Sequence, residues 1–152
     1  MLARTREGHE LLAFIVCDEP VAPDEDAHLP LTFTLIVAKH QDRYLLIYER
    51  ARGQWEIPGG GIERGETPCA CAERELFEET GQIAKPLTFR GLFKLRLQPE
   101  GKVEYGALYS TVLDEIRPFV PNEEADRIIL WKQEETLDEH VSVLSTALID
   151  LC

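Results

Sequence analysis

Residues 53–81 read GQWEIPGGGIERGETPCACAERELFEETG, and the stretch divides into two halves of different character. Pro58 and the run Gly59-Gly60-Gly61 exclude a regular element through 58–61, so a loop is expected there. Thr67 is suited to cap a helix and Pro68 to occupy its first position, while Gly81 can end it in the left-handed conformation. The spacing therefore predicts a helix over 68–80, with Cys69, Ala72, Leu76 and Thr80 as its core-facing stripe. Beside that stripe, Glu75, Glu78 and Glu79 fall within one arc of roughly 100°. A solvated helix face is the plain explanation of a charge run. Converging carboxylates repel one another, however, and gain a purpose when a hard divalent cation such as Mg2+ lies between them and a substrate phosphate.

Upstream, ELLAFIVC (10–17) reads as a strand, and EPVAPDEDAHLP (19–30), with its prolines and acids, as an exposed loop. LTFTLIVAKH (31–40) and RYLLIYER (43–50) are β-branched or aromatic runs parted by Gln41-Asp42, which predicts a hairpin. Downstream, LTFRGLFKLRL (87–97) and KVEYGALYSTVL (102–113) form strands joined by a turn through Pro99-Glu100-Gly101, and RIILWK (127–132) forms another. Thr136 with Glu139 has the form of a capping box before a second helix on which Leu137, Val141, Leu144, Leu148 and Leu151 keep helical spacing. Strands, helix, strands, helix in this order predict an α/β (α+β) domain with a mixed sheet between two helices.

The chain has 152 residues, which is one ordinary domain spanning 1–152. A net charge of -12 argues against long nucleic acid or an anionic membrane as partner, and leaves a small polyanion neutralised by metal and a few local bases. No apolar run reaches membrane-spanning length and residues 1–10 lack a secretory core, so the expected compartment is the cytosol, that is, a cytoplasmic protein. Cys17, Cys69, Cys71 and Cys152 form no C-x-x-C pair and the histidines lack zinc spacing; the thiols read as reduced, with Cys71 a spectator near the acidic arc.

From Gly60 the order is glycine, five residues, Glu66, seven residues, Arg74-Glu75-Leu76, one residue, Glu78-Glu79, one residue, Gly81. This resembles the box of residues, here 60–82, that marks the Nudix hydrolases, and Trp55-Glu56-Ile57-Pro58-Gly59-Gly60 is similar to that family's lead-in. The last box position departs: Gln82 stands where the family has an aliphatic residue. The resemblance implies an αβα sandwich and hydrolysis of a nucleoside diphosphate linked to another moiety, with Mg2+ or Mn2+ at the box. It implies Gly60 (through its carbonyl), Glu78 and Glu79 as metal ligands, Glu75 as a metal ligand or the base that activates water, and Arg74 and Glu66 as orienting groups. A further acid from a distant loop is expected, with Glu124 favoured over Glu123 and Glu104.

Candidate substrate contacts are Arg50 and Arg52, the alternating Arg90, Lys94 and Arg96 on one strand face, and Trp55 and Trp131 as platforms for a base. The lead-in is similar to the MutT-like branch, which converts nucleoside triphosphates, oxidised purines included, to monophosphate and pyrophosphate. ADP-ribose, ADP-sugars and dinucleoside polyphosphates are the alternative substrates, and a non-catalytic nucleotide sensor of the same fold is the alternative class. ELLAFIVC could supply an edge strand to a homodimer.

Overall fold

The computed structural model describes residues 1–84 and 86–152. Its strands are β1 (Ala3–Arg4), β2 (Glu10–Ile15), β3 (Leu31–His40), β4 (Arg43–Glu49), β5 (Gln54–Glu56), β6 (Gly59–Gly61), β7 (Thr88–Leu97), β8 (Lys102–Val112) and β9 (Ala125–Trp131), with helices α1 (Pro68–Thr80) and α2 (Val143–Leu151). The strands join in the order β1-β2-β7-β8-β3-β4-β5, with β6 added to β3 and β9 to β4. Only β3 and β8 run parallel among these pairs; the others are antiparallel, so the sheet is mixed. Among the described residues no helix is long and apolar enough to cross a membrane.

Strand alternation separates two cores. On one face Ile36, Ala38, Leu45, Leu92 and Tyr105 pack against Ala72 and Leu76 of α1. On the other, Val37, Leu46, Phe93, Leu95 and Trp131 pack against Leu148 and Ile149 of α2. This is the expected sandwich of a mixed sheet between helices.

Two local expectations are corrected. The glycine run is not a loop: Gly59–Gly61 pairs with Leu35, Thr34 and Phe33 of β3. A side chain at Gly59 would collide with the Thr34 carbonyl and Leu35, so lack of a Cβ lets the two backbones lie together. The second helix starts at Val143, capped by the Ser142 hydroxyl, which accepts from Ser145 N–H at 3.4 Å; Thr136 and Glu139 are not its cap. Residues 140–142 are instead drawn alongside Trp55, whose N–H donates to His140 O and whose C=O accepts from Ser142 N–H, both at 2.8 Å. On one side β2 pairs with β7 from Glu10 to Ile15, and on the other with β1 at Glu10 and Leu11 alone.

Candidate active site

The helix bearing the acids is set by its ends. Thr67, in extended conformation, accepts from Ala70 N–H at 3.1 Å, Pro68 follows, and Gly81 at φ 76° donates its N–H to Phe77 O. Ala72, Leu76 and Thr80 are buried as expected and Cys69 is half-buried, but Cys71, Glu75 and Glu79 are buried too. Gly59 and Gly60 of β6 lie against Glu79 and Glu75, while Glu78 on the same arc is exposed.

There Glu75, Glu79 and Glu124 bring one carboxylate oxygen each within 4.8 Å of one another. Glu75 and Glu79 are only 6% and 4% exposed, a situation that three bare anions could not tolerate. Burial pushes the Glu79 carboxyl up to about 9 and raises that of Glu75. Glu79 accepts from Gly59 N–H at 2.8 Å, whereas Glu75 Oε2 is buried with no hydrogen-bond partner. Gly60 sits so close to the Glu75 carboxylate that a Cβ would overlap it, and its carbonyl is approached by Cys71 Sγ at 3.6 Å.

Arg74 binds the rest of the arc. It donates to Glu66 at 2.7 and 2.9 Å, to Glu75 Oε1 at 2.9 Å, to Glu78 Oε2 at 3.1 Å and to Gly61 O at 3.0 Å. Its guanidinium holds the Glu66 carboxyl down at about 2. Burial raises the Cys71 thiol to about 11, so it is protonated at neutral pH and a poor nucleophile.

An all-oxygen donor set, a buried carboxylate oxygen lacking a partner and a backbone stripped of its Cβ beside it are what a hard divalent cation requires. Glu75, Glu79 and Glu124 fit one; Glu78, with its side chain 55% exposed and held by Arg74, lies outside the group.

A cavity of about 310 Å3 opens from Gly59, Gly60 and Glu79. Phe33, Leu35, Ile47, Ile57, Leu95 and Leu97 give it apolar walls, and Glu7, His9, Arg52, Gln54, Glu56 and Glu104 give it polar ones. Glu104, a rival for the distant metal acid, is here on the cavity wall, accepting from the Thr32 hydroxyl at 2.6 Å. Arg52 is at the cavity, forked onto Glu56 at 2.7 and 2.9 Å. Arg50 lies beside Glu124, its N–H donating to Glu124 O at 2.9 Å.

The remaining expected contacts lie elsewhere. Trp55 and Trp131 are each 4% exposed, with indole N–H groups committed to Glu139 and to the Glu135 carbonyl, so neither offers a face to a base. Their amphipathic rings serve the core. Arg96 pairs with Glu10 and Lys94 with Asp26, and a register break between Phe89 and Gly91 takes Arg90 out of the alternation. The sequence reading missed Thr5, Glu7, His9 and Ser142, because nothing local marks residues that meet only across the fold.

The family model described as NUDIX domain matches residues 28–144. A MutT-like protein from Streptomyces ambofaciens is 29% identical over 113 residues, covering 68% of this chain and 73% of that protein. An 8-oxo-(d)GTP phosphatase from Mycolicibacterium smegmatis is 32% identical over 97 residues, which are 62% of this chain and 28% of that protein. A crystal structure of a Bacillus subtilis pyrophosphohydrolase superposes with a TM-score of 0.73, covering 98% of this chain and 94% of that one at 21% identity, a likeness of fold.

Proposed function

Because this chain belongs to the NUDIX family of hydrolases, we propose that it cleaves the pyrophosphate linkage of a nucleoside triphosphate, an oxidised purine nucleotide first among them, to monophosphate and pyrophosphate. The observation that carries the reading is the continuity of the buried acid group with the half-apolar cavity through Gly59, Gly60 and Glu79. Such a cavity suits a flat base, and phosphates extending from it toward Gly60 would reach the acids. The carboxylates of Glu56 and Glu104 on its wall accept hydrogen bonds, which favours a base edge rich in N–H donors. The relatives' names, a MutT-like protein and an 8-oxo-(d)GTP phosphatase, lean the same way.

Glu79 and Glu124 would hold Mg2+ or Mn2+, with the Gly60 carbonyl and the Glu75 carboxylate beside them. The cation supplies neutralisation of phosphate charge and a lowered pKa for water. Glu75 does the proton work: its buried, unpartnered Oε2 takes a proton as a water oxygen bonds to phosphorus and the bridging P–O bond breaks. Arg74 fixes Oε1 of the same carboxylate, so the free oxygen is the one presented, and Glu66 holds Arg74 in place. Glu78 remains with Arg74. The four cysteines are all unpaired, which favours a reducing compartment, the cytosol.

The test is a product assay with Mg2+ or Mn2+ over nucleoside triphosphates, their oxidised purine forms, ADP-ribose, ADP-sugars and dinucleoside polyphosphates. We expect pyrophosphate and monophosphate from a purine triphosphate, reduced about 100-fold or more in Glu75→Gln. Turnover confined to ADP-ribose or ADP-sugars would move the substrate to that branch. Silence across the whole set with both metals, while nucleotides still bind, would sink the hydrolase and leave a sensor.

A further inference from the structure

Glu124 is the member of the acid group that α1 does not carry. It precedes β9 at the end of an irregular segment that follows β8, and it is exposed, so neither a helix nor a core contact fixes it. Arg50 N–H donates to its carbonyl at 2.9 Å, and the side-chain hydrogen bonds that hold its turn converge on Asn122. Its amide N–H2 donates to the backbone carbonyls of Glu79 at 3.1 Å and Glu78 at 3.3 Å, that is, to the unsatisfied C-terminal end of the helix that supplies the other acids. Its Oδ1 accepts from the N–H groups of Glu124 at 3.1 Å and Ala125 at 2.9 Å. Both ends of the amide are used in the one orientation that works. Turned over, it would set oxygen against carbonyl oxygens and N–H2 against N–H groups.

A second anchor lies at the helix exit. Gln82 is 1% exposed; its Nε2 donates to Arg117 O at 2.8 Å, and its Oε1 accepts from Arg117 N–H at 2.7 Å. This is the position at which the sequence departs from the box it resembles, and the amide there ties down the start of the segment whose end Asn122 secures. An aliphatic side chain could fill the space but could not pair with that backbone.

We propose that Asn122 is a positioning residue for the divalent-cation site, setting Glu124 against Glu75 and Glu79 by joining its turn to the end of α1, with Gln82 as the supporting clasp. The inference rests on reading the acid group as a cation site. Side chains that orient ligands commonly change metal affinity by about 10- to 100-fold when removed.

The experiment is Mn2+ titration of the whole protein without substrate, reading free Mn2+ by electron paramagnetic resonance, with circular dichroism to verify folding. Asn122→Ser keeps an acceptor for the turn but cannot span to the helix carbonyls, and we expect Mn2+ affinity to fall about tenfold. Glu124→Gln should fall at least as far. The double variant should bind no more weakly than Glu124→Gln alone, since Asn122 acts through Glu124. Gln82→Leu, similar in volume, should show a smaller loss in the same direction and carries the same cycle if Asn122→Ser does not fold. A purely structural Asn122 would lower melting temperature and leave affinity unchanged, which overturns the proposal, as does a loss that adds in full to that of Glu124→Gln. If Glu124→Gln binds like the parent, this inference falls while the cation reading stands on Glu79→Gln; if the parent takes no Mn2+, both fall.

Discussion

Gly60 and Glu79 show how single residues set the chemistry here. The Glu75 carboxylate occupies the volume a Cβ on Gly60 would need, so Gly60→Ala must displace either β6 or the acid. We expect it to remain folded and to lose Mn2+ affinity by about tenfold or more, as calorimetric titration would register. Glu79 gives a pH signature. In the unfolded chain a glutamate titrates near about 4.3, whereas burial lifts Glu79 to about 9 in the folded, cation-free protein. Between those values the folded state keeps a proton that the unfolded state has lost, so stability is fully present at the low end and declines as pH rises. Without metal, the melting temperature should therefore fall from pH 5 to 9, and Glu79→Gln should flatten that fall. A cation takes the proton's place, so Mn2+ should raise the melting temperature more at pH 8 than at pH 5. Glu66 works in the opposite sense and in another window: held at about 2 by Arg74, it adds stability that disappears only as pH drops below the ordinary glutamate range.

At the level of elements, the two helix starts make a contrast. Thr67 caps α1 through Ala70 N–H, so Thr67→Ala should cost about 1 kcal/mol, or roughly 2–4 °C in melting temperature for a chain of this size. Thr136 has the sequence form of a cap, yet it is exposed and lies outside α2. Thr136→Ala should change stability by less than about 0.5 kcal/mol, while Ser142→Ala should cost about what Thr67→Ala does. Thermal melts of the three variants decide the point. The first helix could be delimited in the sequence because its signals, Thr67, Pro68 and Gly81, act within the helix they bound. The second could not, because the backbone at 140–142 pairs with Trp55, some eighty residues earlier, and that pairing outcompetes a local capping box. The same holds for Gly59–Gly61: nothing in three glycines favours a strand, and β3 supplies the partner that makes them one.

Across the whole molecule, the sheet keeps two cores apart, one beneath each helix. Truncations on opposite faces should then be independent. Ile36→Val on the α1 side and Ile57→Val on the α2 side should each cost about 0.5–1.5 kcal/mol, and denaturant titration of the double variant should give their sum to within about 0.5 kcal/mol. A larger discrepancy would mean that the sheet transmits strain between the layers. The sequence by itself determined the elements whose causes are local: the α1 boundaries, the strand alternation, and the arc of Glu75, Glu78 and Glu79, all fixed by spacing along the chain. Tertiary structure alone decided which carboxylates meet. Glu78 is drawn off by Arg74, Glu124 is carried in by Asn122, and the two tryptophans, equally eligible on paper as platforms for a base, are taken into the core. Periodicity specifies which way a side chain points from its own element, but a site forms where elements from distant parts of the chain converge, and that depends on packing and hydrogen bonds that no stretch of sequence contains.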